Sequence, residues 1–190
     1  MKKAIFTILA VITATTMMAQ DVLFQKGDKV LNLGIGLGST FATGRYYTTK
    51  VPPVSASFEM GFMDNLFDVE NLNVGLGGYV GFTSYKYEYD FWGTNWGWDY
   101  TSLIVGARGA LHYPLVEKLD TYTGLLLGFN VRTSKSFGSG VTGSAAGSGL
   151  AYSWFAGGRY YFTDNIAGMI ELGYGIAYLN LGVAVKLAGK

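Results

Sequence analysis

Six side chains in this sequence could do acid–base or charge chemistry: Glu59, Arg108, His112, Arg159, Glu171 and Lys186. Glu59 or Glu171 beside His112 would make an acid/base set, since a carboxylate can orient an imidazole that moves a proton. A second reading needs no substrate. All six fall on the small-residue phase of alternating segments, and charges removed from water must be compensated by partners. On that reading Glu59, Arg108, Arg159, Glu171 and Lys186 form a structural charge network inside a closed space. His112, the only histidine, has no serine at motif spacing, which favours a satisfied imidazole over a lipid-cleaving base. The absence of cysteine excludes disulfides, thiolate metal sites and a thiol nucleophile. No catalytic, metal or cofactor residue is expected. The run Gly34-Ile35-Gly36-Leu37-Gly38 does not fit a dinucleotide fingerprint, and Gly75-Leu76-Gly77-Gly78 misses it because position 80 is Val.

The elements that would position these charges are β-strands. In Leu31-Asn32-Leu33-Gly34-Ile35-Gly36-Leu37-Gly38 the odd positions are aliphatic and the even ones small or polar, the period of a strand with one apolar face. A soluble sandwich would put Lys, Glu or Thr on the other face. Here that face carries Gly, Ser and Asn, as if it looked into a narrow enclosure. Apolar outside and small-polar inside is the writing of a transmembrane β-barrel. The 28 glycines in 190 residues are about twice ordinary usage, and charged residues are depleted. No later segment offers a run of apolar residues long enough for a spanning helix.

Eight strands are expected near 29–38, 53–62, 72–83, 101–113, 121–131, 150–162, 166–174 and 178–187. Their outward phase includes Val54, Phe58 and Met60, then Leu76, Val80 and Phe82, then Leu103 and Val105, then Leu125, Leu127 and Phe129. Short connections (63–71, 114–120, 163–165) alternate with longer ones at 39–52, 84–100 and 132–149, while 175–177 is short. Short periplasmic turns and long extracellular loops are the usual asymmetry of outer-membrane barrels. An eight-stranded barrel is only wide enough for side chains to fill it, which favours the charge network as a plug.

Among the loops, 84–100 has the most claim to function. Its segment Tyr85-Lys86-Tyr87-Glu88-Tyr89-Asp90-Phe91-Trp92-Gly93-Thr94-Asn95-Trp96-Gly97-Trp98-Asp99-Tyr100 is half aromatic and holds three of the four tryptophans. Tyr and Trp favour membrane interfaces, so a girdle is the simplest reading. Phase argues otherwise: Tyr85, Tyr87 and Tyr89 continue the inward parity of Tyr79, Gly81 and Thr83. Trp96, Trp98 and Tyr100 continue that of Ser102 and Ile104. Unless a bulge flips the register, both arms turn their aromatics over the barrel mouth, as a lid or a stacking platform. Tyr87, Tyr89, Phe91, Trp92, Trp96 and Trp98 are thus the candidate recognition residues, for a surface glycan or a partner protein. The third long loop is Ser/Gly-rich and expected to be solvated.

The first residues read as an export signal. Met1-Lys2-Lys3 is a positive start, Ala4 to Thr13 is an apolar stretch, and Met17-Met18-Ala19 ends on a small residue before Gln20. The pattern reads as a signal peptide at 1–19, too short for a spanning helix, leaving an expected barrel domain at 20–190. Without Lys2 and Lys3 the 14 basic residues fall to 12, against 13 acidic ones. Such a balance gives no reason to expect nucleic acid as a partner.

Certain motifs carry a family likeness. Gly157-Gly158-Arg159-Tyr160-Tyr161-Phe162 before a tight Thr163-Asp164-Asn165 turn, echoed by Gly106-Ala107-Arg108-Gly109-Ala110, resembles the small eight-stranded outer-membrane barrels. These are the OmpX-like proteins and the OmpA transmembrane domain of Gram-negative bacteria. The last strand, Asn180-Leu181-Gly182-Val183-Ala184-Val185-Lys186-Leu187, resembles the assembly signal read by the barrel-insertion machinery. It departs from the family in ending on Leu187-Ala188-Gly189-Lys190 rather than an aromatic. The resemblance implies an all-β, up-and-down transmembrane barrel in the outer membrane, contacting its lipid and the assembly machinery through 180–187, and monomeric. The expected role is non-enzymatic, displaying loops for structural, adhesion or recognition purposes. The alternative is a narrow pore or transporter for small or apolar solutes.

Overall fold

In the computed structural model, which describes residues 22–41, 44–91, 94–138 and 147–187, the alternating segments become eight strands. They are β1 (Lys29–Ser39), β2 (Tyr47–Met63), β3 (Asn73–Phe91), β4 (Thr94–Val116), β5 (Leu119–Gly138), β6 (Gly149–Tyr161), β7 (Ile166–Gly173) and β8 (Ala177–Leu187). Each pairs with its neighbours in sequence, and β1 pairs with β8, closing an antiparallel up-and-down barrel. Closure satisfies the backbone groups that an open sheet edge would leave bare, which is what lets β-structure stand in lipid. The expected signal peptide at 1–19 lies outside the described residues.

The greasy phase faces out. Leu33, Ile35 and Leu37 on β1, Leu125, Leu127 and Phe129 on β5, and Leu181 and Val183 on β8 are all exposed. In water so broad an apolar surface would be a liability; as a barrel wall it is the lipid-facing band. Aromatics mark its rims. Tyr113, Tyr160 and Phe162 lie towards the end where β1 begins and β8 finishes, and Tyr152, Trp154, Tyr174 and Tyr178 towards the far end. Amphipathic rings settle at such interfaces.

The glycine-rich phase faces in, where it makes room rather than a channel. A side chain at Gly75 would collide with the Glu59 carboxyl. One at Gly81 would sit 2.9 Å from the Tyr79 ring, and one at Gly157 2.8 Å from Tyr122. Small and large residues thus interdigitate across the lumen, as filling a narrow barrel requires.

Two differences from expectation concern strand length. The connection expected at 84–100 is mostly strand: β3 and β4 pair without a register shift from Asn73 opposite His112 to Phe91 opposite Thr94. The 39–52 and 132–149 connections likewise give up residues to β2 and β5. Alternation of aromatic and charged residues is itself a strand period, so the hairpin continues upward instead of looping out. The turn expected at 114–120 shrinks to Glu117-Lys118, with Lys118 at φ 63°. Two of the register shifts fall where prolines cannot donate to the ladder: β2–β3 shifts between Val51 and Val54 around Pro52 and Pro53, and β4–β5 shifts between Pro114 and Val116.

Candidate functional site

Two sites emerge, one inside the barrel and one above it. Inside, β2 delivers Glu59, β4 delivers Arg108 and His112, β5 Asp120 and Tyr122, β6 Arg159, and β7 Glu171, all buried. Arg159 donates from Nη2 to Glu59 Oε2 at 2.5 Å and from Nη1 to Asp120 Oδ2 at 3.2 Å. His112 lies between the same two carboxylates, with Nδ1 3.0 Å from Asp120 Oδ1 and Nε2 in contact with Glu59. Arg108 donates from Nη2 to Glu171 Oε2 at 2.8 Å and from Nη1 to Ser57 Oγ at 3.3 Å. Tyr122 joins the two clusters: its hydroxyl donates to Glu171 at 3.1 Å, and the Arg159 guanidinium lies 4.6 Å from its ring centre. Buried charges need this density of partners, because each unpaired ion would cost several kcal/mol.

Of the charges read from sequence, Glu59, Arg108, Arg159 and Glu171 therefore meet in one region, directly or through Tyr122. Lys186 does not join them. It lies on β8 opposite Val30, near the strand end, where it pairs with Asp28 at 2.8 Å and donates to the Leu23 carbonyl at 3.2 Å. Asp120 escapes the sequence reading because it falls in an expected turn, although it shares inward parity with Tyr122 and Leu126.

A second feature has no sequence signal. Residues 22–28 pack across the barrel end beneath the network, and of these Phe24 alone is buried. Phe24 is buried and stacks on His112 with ring centres 4.0 Å apart, and its carbonyl accepts from Asn73 Nδ2 at 2.6 Å. Gly61 makes the close approach possible, since a Cβ there would overlap the Gln25 carbonyl. Gly27 N–H donates to Gly61 O, and Gly61 N–H to Asp28 O, each at 2.9 Å. His112 is thus sealed by Phe24 on one face and tilts against Tyr122 at 5.4 Å. Among the described residues no group of three or more His, Asp or Glu is placed to hold a metal ion. Glu59 and Asp120 sit at opposite nitrogens of His112 and both face Arg159.

Above the barrel, the β3–β4 hairpin carries different side chains on its two faces. On the inward face Tyr85 stacks on Tyr100 at 5.1 Å, Tyr87 meets Trp98 at 6.1 Å, and Tyr89 meets Trp96 at 5.8 Å. Trp96 and Trp98 touch edge to face at 5.4 Å. Tyr46 and Tyr47, before and at the start of β2, extend the ladder, Tyr46 to Tyr89 at 5.3 Å and Tyr47 to Tyr87 at 5.1 Å. Such cross-strand aromatic pairs add roughly 0.5–1.5 kcal/mol each beyond burial. The opposite face holds ion pairs, Lys50 with Asp99 at 3.0 Å and Lys86 with Glu88 at 2.8 Å, and Lys86 lies over the Phe137 ring at 4.4 Å. Tyr85 is buried at the mouth, while Tyr87, Tyr89, Trp96 and Trp98 are half-exposed. Phe91 closes β3, but its side chain and the whole of Trp92 lie outside the described residues.

No family model and no curated protein matches the chain in sequence. In fold it is similar to solved membrane barrels. One is Ail, the attachment invasion locus protein of Yersinia pestis, in complex with the heparin analogue sucrose octasulfate. The identity is 14%, covering 85% of this chain and 99% of that one, with a TM-score of 0.50. Another is the N-terminal β-barrel domain of Pseudomonas aeruginosa OprF, with 18% identity, 86% and 98% coverage, and a TM-score of 0.45. A third is neisserial surface protein A, with 15% identity, 84% and 94% coverage, and a TM-score of 0.40.

Proposed function

We infer that this chain, an outer-membrane protein with the fold of the small eight-stranded barrels, is a non-enzymatic surface-recognition protein whose binding element is the aromatic hairpin. The observation that carries the reading is the ladder itself. Rings from β2, β3 and β4 line one face of a hairpin that rises roughly 20 Å beyond Tyr85, at about 3.4 Å per residue. Stacked rings with half-exposed faces suit the apolar faces of sugar rings or the aromatic anchors of a protein.

The charge arrangement narrows the ligand class. Ail was solved with a polysulfated sugar, and a ligand of that kind needs unpaired cations. Lys86 on this hairpin and Lys50 on the adjoining β2 already face Glu88 and Asp99, which supports a neutral glycan or a protein surface over a polyanion. The lumen supports the non-enzymatic part of the reading. His112, the one candidate base, is sealed between Phe24, Tyr122 and two carboxylates, so no substrate carbonyl can reach it.

The test is binding of cells displaying the native protein, Tyr87→Ala or Trp98→Ala to a panel of neutral and sulfated glycans and host surface proteins. Retention of the gel-mobility shift of a folded barrel serves as the folding control. At least tenfold weaker binding by folded variants, on a neutral glycan or protein, is the expected result. Equal binding by native and variant cells, or binding to sulfated glycans alone, contradicts it.

A further inference from the structure

The barrel mouth holds a cation that the network does not neutralise. The inward phase of β5 continues above Leu126 and Asn130 to Arg132, opposite Ser102 on β4. The buried Ser102 hydroxyl accepts from Arg132 Nε at 3.3 Å, and the guanidinium lies 4.8 Å from the Phe41 ring centre. Arg108, Arg159 and Lys186 share the inward phase, and each pairs with a carboxylate. Among the described residues no carboxylate pairs with Arg132, whose side-chain contacts are Ser102 and Phe41. Arg132 is half-buried, and neither Nη1 nor Nη2 is a buried unpaired atom, unlike the Nε of Arg108 and of Arg159. Its two terminal nitrogens therefore meet solvent, where an incoming acceptor would replace water.

Above Arg132 the two neighbouring strands differ. On the inward phase β4 supplies Tyr100 and Trp98, and β5 supplies Ser134 and Ser136 opposite them. One side of the mouth is thus a wall of rings and the other a wall of small hydroxyl side chains. Arg132 is close enough to Tyr85 and Tyr100 to act on both electrostatically. That layer offers little open ring face, because Tyr85 stacks on Tyr100 and is 3% exposed. Half-exposed rings begin one layer higher, with Tyr87 and Trp98. Trp98 lies opposite Ser136, four residues and about 14 Å along the strand from Arg132. A carboxylate on a slim aliphatic arm needs less room beside the stacked pair than one fixed to a sugar ring. With Nε engaged by Ser102, Nη1 and Nη2 remain as a fork that matches the two oxygens of a carboxylate.

We propose that Arg132 is the anion-binding floor of the recognition site and takes the carboxylate of one acidic side chain from a partner protein, whose neighbouring aromatic residues lie on Tyr87 and Trp98. The proposal rests on the reading of the aromatic hairpin as the binding element and names its partner class: a protein segment that sets one acidic side chain among aromatics, rather than a glycan. One uncompensated cation suits one carboxylate and not a polyanion, in keeping with the paired Lys50 and Lys86.

The test titrates the full-length protein in phospholipid nanodiscs with the peptide Ac-Tyr-Gly-Glu-Gly-Tyr-amide and its Gln counterpart, both carrying fluorotyrosine and followed by fluorine NMR. The native protein should bind the Glu peptide at least tenfold more tightly than the Gln peptide. Arg132→Gln should abolish that preference, whereas Lys135→Gln, which removes an exposed cation from the same strand, should keep it. Trp98→Ala should weaken both peptides about equally and leave the preference intact. Equal affinity of the native protein for the two peptides overturns the proposal, and so does binding of neither. If both peptides are then still weakened by Trp98→Ala, the hairpin reading stands without it. A preference lost in Arg132→Gln, together with full binding by Trp98→Ala, upholds the Arg132 site and counts against the hairpin. A preference for glucuronic acid over glucose, with none between the peptides, overturns the protein assignment. Should Arg132→Gln lose its gel-mobility shift, the two peptides on the native protein still decide.

Discussion

Replacing Glu59 by Gln tests the lumen account at its most connected residue. The change keeps the shape and removes one charge from a site where Glu59 and Arg159 are both fully buried. Arg159 would keep only Asp120, at 3.2 Å, and His112 would face an amide at Nε2. Breaking a buried pair by removing one partner costs about 3–5 kcal/mol, because the other charge stays uncompensated. With a urea slope of roughly 1–3 kcal/mol/M for a small protein, the unfolding midpoint should fall by roughly 2 M. The assay is urea titration of the barrel in phospholipid vesicles, read by tryptophan fluorescence and by the fraction of folded band in unboiled gels. Exposed Glu70 supplies the control, since surface changes stay within about 0.5 kcal/mol. Adding Arg159→Met to Glu59→Gln should cost less than the sum of the single changes by about 1–3 kcal/mol, because Arg108–Glu171 and His112–Asp120 remain paired. A Glu59→Gln midpoint equal to that of Glu70→Gln would refute the claim that these charges hold the barrel.

Other outcomes follow from the same geometry. Phe24→Ala removes a buried ring from the face of His112, and a buried Phe→Ala change costs about 3–5 kcal/mol; an unchanged urea midpoint would mean that 22–28 do not plug the barrel. Gly61→Ala forces a methyl into the Gln25 carbonyl, so exchange of the Gly27 amide, bonded to Gly61 O, should accelerate at least tenfold while that of Asn32 on β1 does not. In planar bilayers the native barrel should give no discrete conductance, since Arg159, His112 and Phe24 fill its cross-section; a steady open channel would favour the alternative narrow-pore reading.

Parity makes most of this legible in the amino-acid order. Leu33, Ile35 and Leu37 alternate with Gly34 and Gly36 so regularly that inside and outside follow from the alternation alone, and the observed exposures agree with it. The same alternation gives Glu59, Arg108, Arg159 and Glu171 their shared interior. What parity does not carry is height along the barrel: Lys186 has the inward phase but sits at the rim with Asp28. Polarity is a poor guide to strand length. Lys86, Glu88 and Asp99 look like loop residues, yet they alternate with aromatics and keep the strand period for the full hairpin. The plug at 22–28 lies outside any period. Its position depends on Gly61, Asn73 and His112, which come together only when the sheet closes. The unequal heights of β6, paired to β5 from Gly149, and β7, paired to β6 only from Phe155, are equally hidden.

A closed barrel with its greasy face in the outer membrane should be heat-modifiable when an outer-membrane fraction is run on detergent gels. Unboiled samples should run as a detergent-resistant species of different mobility from boiled ones, in the membrane pellet. A single mobility with and without boiling, together with recovery in the soluble periplasm, would contradict the account and turn the apolar face inward.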